Sequence, residues 1–248
     1  MKKLAYYSMI TLLVVMLVGL CLSTSANAHY EMQFPAIRPM IFVHGFTGSA
    51  QQYEWQAMRF SSNGYPKEYL NAFEYDSPNY ATTAPQVLAA LDARIDAILQ
   101  ETGADKVELL GHSLGTFVST SYLNSSAVRA SKVAHYAALD GGSAVTLPGT
   151  AVGVPVPTLA IYGGFGFNPN GSITGATNVV VPKAPHNETC TSPVSFAYMY
   201  KFFTGHDPES TDVLPEHGRH FNLAGRAVLY PQNVGVAGAT VEIYELYG

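Results

Sequence analysis

Gly111-His112-Ser113-Leu114-Gly115 carries the clearest chemical signal in the chain, a G-x-S-x-G whose surroundings give it meaning. Val107-Glu108-Leu109-Leu110 is a strand candidate that runs straight into it, and Thr116 to Leu123 can continue from it as a helix. Strand, sharp turn and helix together make a nucleophile elbow. Small flanking glycines permit a strained turn that lifts the serine hydroxyl above the edge of a sheet.

A serine is a poor nucleophile until a base takes its proton, so the chain order Ser, acid, His requires a later histidine. Of the eight histidines, His135 sits inside an apolar strand candidate and reads as a core residue. His206, His217 and His220 follow the last helix candidate in a polar stretch. His186 comes just after a strand candidate, at the carboxyl end where open α/β sheets place their ligands, and is the expected general base. Between Ser113 and His186 there is a single carboxylate, Asp140, which ends another strand candidate and precedes Gly141-Gly142. It is the expected partner that fixes the imidazole tautomer. Where an acid is often found, after the following strand, the sequence has only Asn168 and Asn170.

Acyl transfer also needs donors for an oxyanion, each worth about 3 kcal/mol. His44-Gly45-Phe46-Thr47-Gly48 can present the backbone N–H of Phe46, and Leu114, directly after the serine, can present the second. His44 itself is expected to brace the loop. No metal site is expected: His217 and His220 flank a glycine and lack the H-E-x-x-H helical pattern. No cofactor motif is expected either. Cys190 reads as a buried apolar thiol despite its closeness to His186.

Short apolar runs alternate with helical patterns, the signature of a mostly parallel sheet with helices on both faces. The strand candidates are Met40 to His44, Leu70 to Tyr75, Val107 to Leu110, Val133 to Leu139, Thr158 to Tyr162 and Asn178 to Val181. Their near-continuous apolar character suits strands buried on both sides. Leu88, Leu91, Ile95, Ile98 and Leu99 fall at helical spacing between Ala84 and Thr102, and further helices are expected from Gln51 to Phe60 and from Pro193 to Phe203. Beyond Pro208, Arg226 to Tyr230 and Thr240 to Leu246 read as two strands joined by the loop Gln232 to Gly238, a hairpin marginal by itself.

At the N-terminus, Lys2 and Lys3, the apolar stretch from Met9 to Leu22 and Ala26-Asn27-Ala28 have the order of an export signal. The apolar stretch falls short of the roughly 20 residues that span a bilayer. The expected organisation is a signal peptide at 1–28, a catalytic domain at 29–212 and a C-terminal β-hairpin tail at 213–248. Secretion, with no stable membrane insertion after cleavage, follows from it. Cleavage would remove Cys21 and leave Cys190 unpaired. The 248 residues are 48% hydrophobic and 12% charged, which excludes a disordered chain. A formal net charge of −5 argues against a nucleic-acid binder.

RPMIFVHGFTGSAQQYEWQAMRFSSNGYP, VELLGHSLGT, KVAHYAALDGG and PHNETCTSP resemble the α/β-hydrolase lipases and carboxylesterases, most closely secreted or thermophilic microbial lipases. The resemblance runs from about Arg38 to Pro208. It implies an α/β-hydrolase fold with Ser113 as nucleophile, Asp140 as acid and His186 as base, acting on a small-molecule or lipid ester. GRAVLYPQNVGVAGATVEIYE resembles the opening of the β-rich domain that some members carry behind the catalytic one. Other members have a long helical lid after a Phe-Glu-Tyr-Asp strand; here Phe73-Glu74-Tyr75-Asp76 is followed by only Ser77 to Ala84 before Pro85, so an open cleft for short or medium acyl esters is expected. The same triad would also serve a polyester or thioester hydrolase, and a non-catalytic binding protein could keep the fold.

Overall fold

The computed structural model describes residues 37–215, 227–230 and 232–244. The export-signal region with Cys21, together with His217, His220, Arg226, Glu245 and Leu246, lies outside the described residues.

Six strands form one parallel sheet in the order β2-β1-β3-β4-β5-β6. They are β1 (Met40–Val43), β2 (Leu70–Phe73), β3 (Val107–His112), β4 (Val133–Leu139), β5 (Thr158–Phe165) and β6 (Thr177–Pro185). The chain moves outward from β1 to β2, then returns to place β3 on the other side of β1. Loops leaving the carboxyl ends of β1 and β3 therefore diverge and open a crevice, the usual place for a ligand in such sheets.

Alternation along each strand builds two cores. Ile41, Val43, Leu109, Tyr136, Ala138, Ala160 and Tyr162 face one side. There they meet Val87, Leu91, Ile95 and Ile98 of α2 (Tyr80–Thr102) and Val118, Tyr122 and Leu123 of α3 (Leu114–Ser125). Met40, Phe42, Leu110, Ala137, Leu139, Leu159 and Ile161 face the other, against Phe60 of α1 (Glu54–Ser62) and Phe196, Met199, Tyr200 and Phe203 of the C-terminal helix Pro193–Thr204. Strands apolar on both faces are what a sheet covered on both sides demands.

Some element boundaries differ from those expected. Helix α2 begins at Tyr80 rather than Ala84, with Pro85 inside it, and in its first turn the hydroxyls of Thr82 and Thr83 donate to the Asn79 carbonyl at 3.0 and 2.9 Å. Strand β6 runs on to Pro185, which leaves His186 directly at its end. The short helices α4 (Ala127–Ser131) and α5 (Glu188–Thr191) fill connections, and the C-terminal helix is α6.

The tail differs in register from its expected hairpin. Here β7 (Val228–Leu229) pairs antiparallel with β8 (Val234–Gly235), so the second strand falls inside the expected loop and residues 240–244 form no strand. Asn233 causes the tighter turn: it adopts φ 57° and its N–H donates to the Leu229 carbonyl at 2.7 Å. Asparagine tolerates that left-handed conformation better than most residues.

Candidate active site

Strand β3 delivers Ser113 to the crevice, and α3 starts at the next residue. Its backbone has φ 54° and ψ −120°, a conformation costing roughly 1–3 kcal/mol for a non-glycine residue. Two flanking glycines make the turn sterically possible. A Cβ on Gly115 would lie 2.1 Å from the Val43 carbonyl oxygen, and one on Gly111 would lie 2.5 Å from the Gly115 oxygen. The glycines thus let α3 press against β1 while the serine stays partly exposed at the top.

Asp140 follows β4 with its side chain fully buried, and it too has a positive φ, 47°. Its Oδ1 accepts the Gly163 N–H at 3.1 Å and its Oδ2 accepts the Phe167 N–H at 2.7 Å. Those donors replace the water the carboxylate loses on burial. Oδ2 also lies 2.5 Å from Nδ1 of His186. The carboxylate can only accept, so Nδ1 carries the hydrogen and Nε2 is left as a lone-pair base. Asn168 binds elsewhere, its Nδ2 donating to Ser143 Oγ at 3.1 Å.

The loop after β1 makes the opposite wall. The N–H of Gly45 donates to Gln52 Oε1 at 3.1 Å and that of Thr47 to Ser77 Oγ at 2.9 Å. Among the described residues the N–H of Phe46, between them, makes no protein hydrogen bond. Leu114, first in its helix, has an N–H that the helical ladder does not use. His44 is buried beneath the loop: its Nδ1–H donates to the Gly45 carbonyl at 2.8 Å, and its ring stacks on Tyr75 at 4.4 Å. This matches its expected bracing role.

Sequence reasoning passed over a second layer. Gln52 uses its oxygen for Gly45 and donates from Nε2 to His112 Nδ1 at 2.5 Å. That acceptor role puts the His112 proton on Nε2, which donates to the His186 carbonyl at 3.1 Å. One chain of bonds therefore ties the β1 loop to the His186 loop beneath the serine. Burial, and next the proximity of His186, push the His112 pKa down to about 4. In sequence His112 is only the variable position of G-x-S-x-G, and Gln52 is an ordinary helix residue; no local signal marks either.

Other groups take structural places. His135 is half-buried and contacts Glu108 Oε2 at 2.9 Å, as a satisfied core histidine would. Cys190 is free and buried, its Sγ directed at the Asn187 carbonyl, and burial pushes its pKa up to about 12. No cluster of three or more His, Cys, Asp or Glu side chains suited to a metal occurs among the described residues. No helix among them is long and apolar enough to cross a membrane.

Ser113, His186, Gly45, Phe46 and His112 line one cavity of about 590 Å³. Residues 37–134, which include the β1 loop and the serine, match the family Lipase (class 2). The mature lipase BlEst2 of Bacillus licheniformis superposes with a TM-score of 0.50 at 16% identity, covering 68% of this chain and 93% of that one. The chain has an α/β-hydrolase fold. Aspergillus fumigatus lipase B shares this α/β-hydrolase fold with a TM-score of 0.53 at 14% identity, over 75% of the present chain and 56% of its own.

Proposed function

We propose that this α/β-hydrolase is a secreted serine carboxylester hydrolase that cleaves short- to medium-chain acyl esters through an acyl-enzyme on Ser113. The observation that carries the reading is the 2.5 Å contact of His186 Nδ1 with buried Asp140, on a histidine that shares its cavity with Ser113. With Nδ1–H engaged, Nε2 takes the Ser113 proton as Oγ attacks the ester carbonyl. The N–H groups of Phe46 and Leu114 receive the developing oxyanion. His186 then returns the proton to the leaving alcohol, and a water activated by the same nitrogen hydrolyses the acyl-enzyme. Asp140 stays ionised throughout and stabilises the imidazolium.

Ser113→Ala is the direct test. Hydrolysis of p-nitrophenyl esters should fall by roughly 10⁴-fold or more while the circular dichroism spectrum stays native. Turnover retained in that variant would place the nucleophile elsewhere. Secretion is tested separately by N-terminal sequencing of protein recovered outside the cytoplasm, where a start at His29 is expected.

A further inference from the structure

The cavity that holds Ser113 and His186 is also lined by Val228, Tyr230 and Asn233 of the C-terminal hairpin. Little apolar burial keeps that hairpin in place. Leu229, Tyr230 and Val234 are all more than half exposed, and a two-stranded ribbon is marginal in water. Asn233 is the exception: it is 5% exposed, and its Nδ2 donates to the Gly48 carbonyl at 2.7 Å and reaches within 3.4 Å of His44 Nε2. Its positive φ aims the side chain down from the turn while the N–H closes the turn on Leu229. Among the described residues, the buried Asn233 amide ties the hairpin to the loop that carries Phe46.

We infer that this hairpin is a specificity-determining wall of the ester-binding cleft, positioned by Asn233. The inference rests on the ester-hydrolase reading above. An ester with a short acyl chain is held by Ser113 and the Phe46 loop without reaching the wall. A longer chain runs along it and gains the apolar surface of Val228 and the Tyr230 ring. Asn233 is a positioning residue: it touches the loop and the hairpin, not the reacting atoms.

The test compares kcat/KM for p-nitrophenyl acetate and p-nitrophenyl octanoate in three full-length variants. Tyr230→Ala trims the wall at an exposed position. Asn233→Gly removes the pin while suiting the positive φ. Both should lower the octanoate-to-acetate ratio by about tenfold, the scale of a few lost apolar contacts, chiefly through KM for octanoate. The double variant should be no lower than Asn233→Gly alone, since a displaced wall cannot be trimmed again. An unchanged ratio in Tyr230→Ala, or equal losses on both esters in Asn233→Gly, would overturn the inference. Amide exchange of residues 45–50 provides a readout without substrate and should accelerate in Asn233→Gly; unchanged exchange also overturns the pin. If the wild type cleaves neither ester yet exchange accelerates in the variant, the ester reading fails while the docking of the hairpin stands.

Discussion

Protonating His112 would set a cation between the Gln52 amide hydrogens and the His186 ring, whose centroid lies 4.5 Å away. The unfolded imidazole titrates near 6.5 and the folded one at about 4. Between those values the unfolded chain binds more protons, so stability must fall as pH drops through this window. The loss from this residue amounts to roughly 2 kcal/mol between pH 7 and pH 5. Urea unfolding at the two pH values should show it in the wild type and show less of it in His112→Gln; equal losses in both would remove His112 as the cause. Asp140 carries a second prediction at this scale. Asp140→Asn keeps the shape but favours the wrong imidazole tautomer, and kcat should fall by about 10⁴-fold. Asn168→Asp should matter little, because that side chain is turned to Ser143 rather than to His186. The reverse ranking in steady-state kinetics would reassign the acid. The contact of Asp140 with His186 was legible in sequence because Asp140 is the one acid between Ser113 and His186. The role of Gln52 was not, since it depends on a histidine 60 positions away.

At the scale of elements, the sharpest constraint is the approach of α3 to β1 at Gly115. Any side chain there collides with the Val43 backbone, which cannot turn aside as a side-chain end could. Gly115→Ala should cost about 3 kcal/mol, read as a lowered denaturant midpoint, and should displace the serine turn so that activity falls further than stability alone explains. A variant with wild-type stability and activity would show that the helix can slide. The strands were legible in sequence because burial on both faces leaves unbroken apolar runs. Boundaries were less legible: α2 starts at Tyr80, ahead of Pro85 and of the apolar positions that mark its buried face. The hairpin register was missed because a single φ, that of Asn233, sets it.

Across the whole molecule, the connection from β2 to α2 is only residues 74–79 and holds no helical insertion beyond one short 3₁₀ turn. An enzyme without a large mobile cover there should show no jump in rate as a substrate passes its solubility limit. Titrating tributyrin through that limit provides the measurement, and a sharp rise would reveal a lid elsewhere. Four of the five described non-glycine residues with positive φ, namely Thr47, Ser113, Asp140 and Asn233, gather around the one crevice, which concentrates backbone strain where the chemistry is expected.

The bond from Asn233 to the Gly48 carbonyl closes a loop of 185 residues, and the contact between Asp140 and His186 spans 46. Contacts so distant in sequence are among the last to form, since the chain entropy of closing them is lost before they repay it. During refolding, helical circular dichroism should therefore recover ahead of esterase activity, and the octanoate-to-acetate ratio should reach its final value last. On the ester-hydrolase reading, activity becomes a clock for the final stage of assembly, reporting when the two ends of the described fold have met.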